Sequence, residues 1–170
     1  MSTAVKKAET PKTDSNPLFK ENVINAICVG VQDTLSMMAQ VQAVFEKPTI
    51  EMTWKTQGDV TGVINFETTN FRGSLYIHFP SEVLIKLYNT MVGETLTTVS
   101  PEVVDCIGEI SNMAYGVAKG KLDPLKLNFS MSIPKSMKTS ELNRVPSPHL
   151  LIPFKVYDKK CLLEITLGTK

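Results

Sequence analysis

Apolar positions divide the chain into segments with different periodicities. Apolar residues recur mostly at spacings of four over residues 18–38. Since an α-helix repeats every 3.6 residues, this spacing predicts a long helix over about 17–41, with Asn16-Pro17 as its cap and first residue. Residues 1–15 are polar and lack periodicity, which predicts a disordered tail and leaves 16–170 as a single domain.

Two sets of β-prone segments follow. The first set has short polar turns between its members, which predicts an antiparallel meander. Its three runs cover residues 49–56, 60–66 and 71–79. The second set, near the C-terminus, predicts a strand that ends at Pro134, then a polar loop, then a hairpin. Its segments cover residues 126–133, 135–148, 150–157 and 161–167.

Two further helices are predicted between these sets of strands. The first covers residues 82–91, and the second runs from Pro101 to about Lys119. Ser100 is a favourable N-cap for the second helix, and Gly120 is expected to lie past its end. The predicted fold class is therefore α+β in the order α-βββ-αα-βββ. It has two layers, an antiparallel β-sheet packed against long helices.

Composition excludes several classes of function. Apolar residues make up 42% of the chain and charged residues 21%, with a net charge of +1 and no clustered basic patch. This is ordinary for a globular protein and gives no support for nucleic-acid or acidic-membrane binding. No apolar run has membrane-spanning length and no signal peptide is evident, so we expect a cytoplasmic protein without membrane contact.

The cysteines and histidines do not predict a metal site. Cys28, Cys106 and Cys161 are widely spaced and lack any CxxC pair, which argues against a disulfide framework and against zinc. His78 and His149 each lie alone within an apolar run. We therefore predict that both histidines are buried or strand-edge residues of the sheet, and that the chain has no metal ligands.

The helix that begins at Pro101 carries the candidate chemistry. At about 100° per residue, one arc is apolar and the opposite arc is polar. The apolar arc contains Val103, Ile107, Ile110, Ala114 and Val117, and the polar arc contains Glu102, Asp105, Glu109, Asn112 and Gly116. Glu109 and Asn112 are three residues apart and therefore neighbours on the surface. Gly108 and Gly116 flank them, and because glycine weakens a helix by about 1 kcal/mol, we expect another surface to approach closely.

The spacing of this pair is weak evidence by itself. The same Glu-x-x-Asn spacing occurs at Glu67 and Asn70, within a predicted turn. An ordinary solvated helix face would also carry a glutamate and an asparagine. The bare pattern therefore favours a solvated face, and the wider sequence context has to decide.

The segment 107–116, with the sequence IGEISNMAYG, resembles the signature helix of the CheC/CheX/FliY family of chemotaxis phosphatases. The similarity continues at the start of the first helix, at Ser132-Ile133-Pro134 and at 148–154, and it covers about residues 16–168. The chain is most similar to CheX, because its first helix lacks the second Glu-x-x-Asn of CheC and most FliY proteins. One departure is Met137-Lys138-Thr139, where a glycine is expected after the strand.

The resemblance implies a CheC-like fold and hydrolysis of the aspartyl-phosphate of a CheY-type receiver domain. In that family pattern Asn112 orients the attacking water, and Glu109 pairs with a lysine of the receiver. Partner contacts are expected at four more positions: Asp105, Gly108, Ser111 and Gly116. The chain would need no cofactor of its own, since Mg²⁺ belongs to the receiver's site, and CheX relatives are homodimers.

Two alternatives stay open at this point. A non-catalytic receiver-binding or adaptor module of the same fold would use Glu109 and Asn112 for docking alone. A structural or dimerisation domain would have no receiver partner, and the apolar C-terminal strands are compatible with it.

Overall fold

The computed structural model describes residues 20–52, 57–69, 71–125, 128–143 and 147–169. Within these residues the chain forms three α-helices and eight β-strands. The helices are α1 Glu21–Ala39, α2 Ser81–Val92 and α3 Pro101–Leu122. The strands are β1 Val44–Phe45, β2 Thr49–Glu51, β3 Val60–Glu67, β4 Phe71–Phe79, β5 Ser130–Met131, β6 Lys135–Lys138, β7 His149–Val156 and β8 Lys159–Thr169. The predicted tail over 1–15 and the predicted helix start at Asn16-Pro17 lie outside the described residues.

All eight strands join one antiparallel sheet. Its strand order is β1-β7-β8-β4-β3-β5, with β2 also paired to β7 and β6 also paired to β3. The α+β class with an antiparallel sheet against long helices is therefore confirmed. Each set of strands has four members in the described chain, so the order α-βββ-αα-βββ lacked two short strands, β1 and β6.

The predicted meander is wrong in its first strand. Thr49 of β2 lies opposite Leu151 of β7, at the sheet edge away from β3. Only β3 and β4 form the expected hairpin, with Val60 opposite Phe79. A polar turn between two β-prone runs can join neighbouring strands of a hairpin or strands at different edges of the sheet. The turn does not specify the pairing, because strand pairing depends on burial across the whole sheet.

The structure also differs from the prediction in the segment after Pro134 and at the end of α3. The segment 135–148, expected to be a loop, contains β6 and a single 3₁₀ turn at Thr139–Glu141. β6 is polar because it pairs with β3 at the edge of the sheet, where side chains remain partly exposed. Helix α3 also continues through Gly120 to Leu122, because a buried Leu122 offsets the low helix propensity of glycine.

The three helices cover one face of the sheet. Cross-strand partners point to the same face, so a row of residues across four strands identifies the side that meets the helices. This row is Gly62, Ile77, Leu163 and Ile152. Helix α1 packs on α3 so closely at Gly30 that a methyl group there would overlap the carbonyl oxygen of Ala114. Helix α3 is thereby held between α1 and the edge of the sheet at β3 and β6.

Candidate functional site

Helix α3 begins as predicted and presents the predicted polar face. The Ser100 hydroxyl accepts a hydrogen bond from the Val103 backbone N–H at 3.4 Å, and Pro101 is the first helical residue. The residues of the predicted apolar arc are fully buried, except for Val117, which is half-buried. Glu109 and Asn112 are both exposed on the outward side of the helix. Local periodicity was therefore sufficient to place this pair.

Ser111 does not belong to the exposed face. Its side chain is 1% exposed, and its hydroxyl has no hydrogen-bond partner among the described residues. It lies above Gly62 of β3, where a methyl group would overlap the Ser111 hydroxyl. A partner contact at Ser111 stays a prediction, but this side chain faces the core of the described chain, because the residue next to an exposed position on a helix can point inward.

The two glycines that flank the pair have different surroundings. A methyl group at Gly108 would come within 2.7 Å of Ser136 Oγ on β6, so this glycine allows α3 to lie close to the chain's own edge strand. Gly116 is exposed, and a methyl group there would meet nothing within 4 Å. The expected close approach is thus intramolecular at Gly108. At Gly116 no contact within the described chain requires a glycine.

An open groove runs between α3 and the segment that joins β5 to β6. Its helix side carries Asp105, Gly108, Glu109 and Asn112, and its strand side carries Met131, Ser132, Ile133, Pro134 and Ser136. The structure therefore brings together four predicted site residues, Asp105, Gly108, Glu109 and Asn112. The strand side was not predicted to be part of the site. Pro134, which interrupts a β-prone run, was the available signal for an edge strand there.

The joining segment is a β-bulge on the edge strand. Met131 lies opposite Phe66 and Lys135 opposite Val63, so three residues on one strand face two on the other. Ser132 still pairs with Asn65: its N–H donates to the Asn65 carbonyl oxygen at 2.9 Å, and its hydroxyl accepts from the Asn65 N–H at 3.2 Å. The extra residue is consequently in the Ile133-Pro134 pair. Bulges of this kind redirect side chains and occur frequently next to active sites.

The groove carries negative charge on its helix side and no thiolate. Asp105 and Glu109 are both exposed acids there. Burial, with a smaller contribution from Glu109, raises the pKa of the Cys106 thiol to about 11. Cys28 and Cys161 have pKa values of about 11 and 12 for the same main reason, burial. All three thiols are therefore protonated at neutral pH and poor nucleophiles.

Both histidines are buried strand residues, as expected, and they share a carboxylate that the sequence reasoning missed. His78 Nε2 lies 2.9 Å from Glu164 Oε2, and His149 Nδ1 lies 2.5 Å from Glu164 Oε1. Glu164 is 0% exposed. Thr61, opposite His78 in the ladder, lies 2.8 Å from His78 Nδ1. Because Thr61 and His78 adjoin the helix-facing Gly62 and Ile77, this network lies on the sheet face away from α3 and its groove.

No group of three or more potential metal-ligating side chains occurs in the described part of the chain. Within the same residues, no helix is both long and apolar enough to cross a membrane.

A match to a protein-family model shows to which family this chain belongs. The model described as "Chemotaxis phosphatase CheX" matches residues 60–155, more than half of the chain. The chain belongs to the CheX family. The matched residues include β3, all of α3 with Glu109 and Asn112, and the bulge. No curated protein sequence matches the chain significantly.

Solved structures agree with this membership in the CheX family. A CheC-like superfamily protein from Shewanella sp. PV-4 is 25% identical, with a TM-score of 0.78, over 88% of this chain and 99% of that one. The chemotaxis protein CheX from Vibrio vulnificus is 26% identical, with a TM-score of 0.77, over 86% and 99%. A CheX–CheY–BeF₃–Mg²⁺ complex from Borrelia burgdorferi is 18% identical, with a TM-score of 0.68, over 87% and 97%. The fold, recognised as CheC-like from the sequence, is confirmed.

Proposed function

We propose that this CheX-family protein hydrolyses the aspartyl-phosphate of a CheY-type receiver domain with Glu109 and Asn112. The observation that carries the proposal is the exposure of both side chains on one rigid face of α3, beside an open groove. A partner's active site can receive such a face without any rearrangement of this chain. The CheX–CheY complex of the Borrelia relative supports a receiver as the partner.

The division of work follows from the chemistry of the two side chains. In the hydrolysis, a water oxygen bonds to phosphorus and the bond from phosphorus to the receiver's carboxylate oxygen breaks, which yields inorganic phosphate and a free aspartate. The Asn112 carboxamide both donates and accepts hydrogen bonds, so it can hold the water in line without changing charge. Positioning of this kind, worth roughly 2–4 kcal/mol, accelerates hydrolysis about 30- to 1000-fold.

Glu109 has a docking role in this proposal. One helical turn from Asn112, its carboxylate would pair with a lysine of the receiver and set the register of the helix in the site. Mg²⁺ bound in the receiver would neutralise charge on the phosphoryl group, so this chain needs no cofactor. Asp105 and Gly116 are proposed to line the contact with the receiver. Dimerisation and a cytoplasmic location remain part of the proposal.

The test is the lifetime of the receiver phosphate. Receiver domains are phosphorylated in Mg²⁺ with a small-molecule phosphodonor, and phosphate release is followed with the wild-type protein and with Asn112→Ala. We expect the variant to bind a BeF₃-activated receiver with near-wild-type affinity and to lose phosphate release. Hydrolysis at the wild-type rate would contradict the proposed role of Asn112. A wild-type protein that binds the receiver and leaves the phosphate lifetime unchanged or longer would support the adaptor alternative.

A further inference from the structure

Ile133 is the most exposed large apolar side chain in the described part of the chain, at 86% exposure. Single exposed apolar residues are common on protein surfaces and need no explanation by themselves. The position of Ile133 is what distinguishes it. It lines the same groove as Glu109 and Asn112, on the opposite wall.

The backbone around Ile133 is fixed on both sides. Before it, Ser132 makes two hydrogen bonds to the Asn65 backbone, and after it, β6 pairs with β3 from Lys135 onward. The Ser132 hydroxyl also lies 3.3 Å from the Ile133 carbonyl oxygen, to which it donates. Pro134 restricts the backbone further through its ring. A segment whose backbone is held this way loses little backbone freedom when a partner covers it.

We infer that Ile133 is a docking anchor that packs into an apolar depression on the receiver, beside the phosphorylated aspartate. This inference rests on the proposed function. Because Asn112 and Ile133 line the same open groove, a receiver that brings its phosphate to Asn112 is expected to cover the wall that carries Ile133. The receiver is the expected partner of Ile133 because this side chain lies in the same groove as Glu109 and Asn112.

The anchor contributes affinity and selectivity, and no chemistry. Ile133 has no polar side-chain atom, so it stabilises the bound receiver equally before and during phosphoryl transfer. Such uniform binding lowers KM and leaves kcat unchanged. Receivers with a polar or filled surface at this point would bind less well, which makes Ile133 a specificity-determining residue of the groove.

The test compares Ile133→Ser with Ile50→Ser in the full chain. Ile50 is a matched control, because it is 45% exposed on β2 at the other edge of the sheet. Phosphate release from a phosphorylated CheY-type receiver gives KM and kcat, and titration with the same receiver activated by BeF₃ and Mg²⁺ gives Kd. For Ile133→Ser we expect KM and Kd to rise roughly 10-fold or more, with kcat within about twofold of wild type. Ile133→Leu should restore both constants, and Ile50→Ser should change neither.

Each result decides between the inference and the function on which it rests. If the wild-type protein hydrolyses the phosphate and Ile133→Ser keeps the wild-type KM and Kd, the anchor is wrong and the proposed function stands. If the wild-type protein binds the receiver without hydrolysis, the proposed function is wrong, and the Kd of Ile133→Ser still decides the anchor. If the wild-type protein binds no CheY-type receiver, the docking anchor and the proposed function are both wrong. The thermal unfolding temperature of Ile133→Ser is compared with that of the wild type. Equal temperatures show that the exposed substitution leaves the fold intact.

Discussion

Gly62 of β3 lies directly beneath Ser111 of α3, so that a methyl group at position 62 would overlap the Ser111 hydroxyl. The Ile107 carbonyl oxygen is the next neighbour, 3.0 Å from the same methyl position. The glycine therefore sets the distance between α3 and the sheet. The position of Glu109 and Asn112 relative to the bulge depends on this distance.

Gly62→Ala should consequently destabilise the protein and impair phosphate release. Extra volume in a packed core costs about 1–3 kcal/mol, which urea unfolding would measure. A shift of α3 against the edge strand should also lower kcat/KM about tenfold or more. Ser111→Ala removes the overlapping oxygen, so the double variant should recover part of both losses. Additive effects of the two substitutions would show that the contact between them is not the cause.

The local features of α3 were predictable, and the non-local features of its site were not. The cap at Ser100 and the exposure of Glu109 and Asn112 follow from residues close together in the chain. The bulge at Ile133 depends instead on the register between β3 and a strand about 70 residues later, which no local pattern specifies. The burial of Glu164 was not predictable for the same reason. A charged residue in a strand indicates an exposed position, and only the folded sheet brings His78 and His149 from two other strands beside it.

Glu164→Ala should be among the more destabilising single substitutions. The Glu164 side chain is fully buried between His78 and His149, and loss of one partner from a buried hydrogen bond typically costs about 1–3 kcal/mol for each bond removed. Glu82 provides a contrast, because its 2.9 Å ion pair with Lys159 is half exposed on both sides. Glu82→Ala should cost less than about 1 kcal/mol. Equal losses in the urea unfolding of the two variants would mean that the buried network does not contribute to stability as described.

Glu109→Gln should affect receiver docking more than an equal change elsewhere on α3. Loss of a charge-assisted hydrogen bond to a lysine costs about 1.5–3 kcal/mol, which corresponds to a roughly 10- to 150-fold fall in kcat/KM. Glu102→Gln is the control. Glu102 is also an exposed acid on α3, and its pKa is lowered by the hydrogen bond with Ser100 in the first turn. It lies two turns before Glu109, and its substitution should leave kcat/KM within about twofold. A similar loss in both variants would indicate a general charge effect and no specific pairing by Glu109.

Gly116→Ala should separate the stability of α3 from its function. A methyl group at Gly116 or at Gly120 would have no neighbour within 4 Å, so alanine at either site should stabilise the helix by about 1 kcal/mol. Both glycines lie on the face of Glu109 and Asn112, but Gly116 is about one turn beyond Asn112 and Gly120 about two turns beyond it. If the receiver approaches the backbone there, Gly116→Ala should weaken its binding several-fold, whereas Gly120→Ala should leave Kd and kcat unchanged. Unfolding and receiver titration of both variants provide the measurement. A more stable Gly116→Ala protein with wild-type receiver affinity would show that the contact surface ends before this turn.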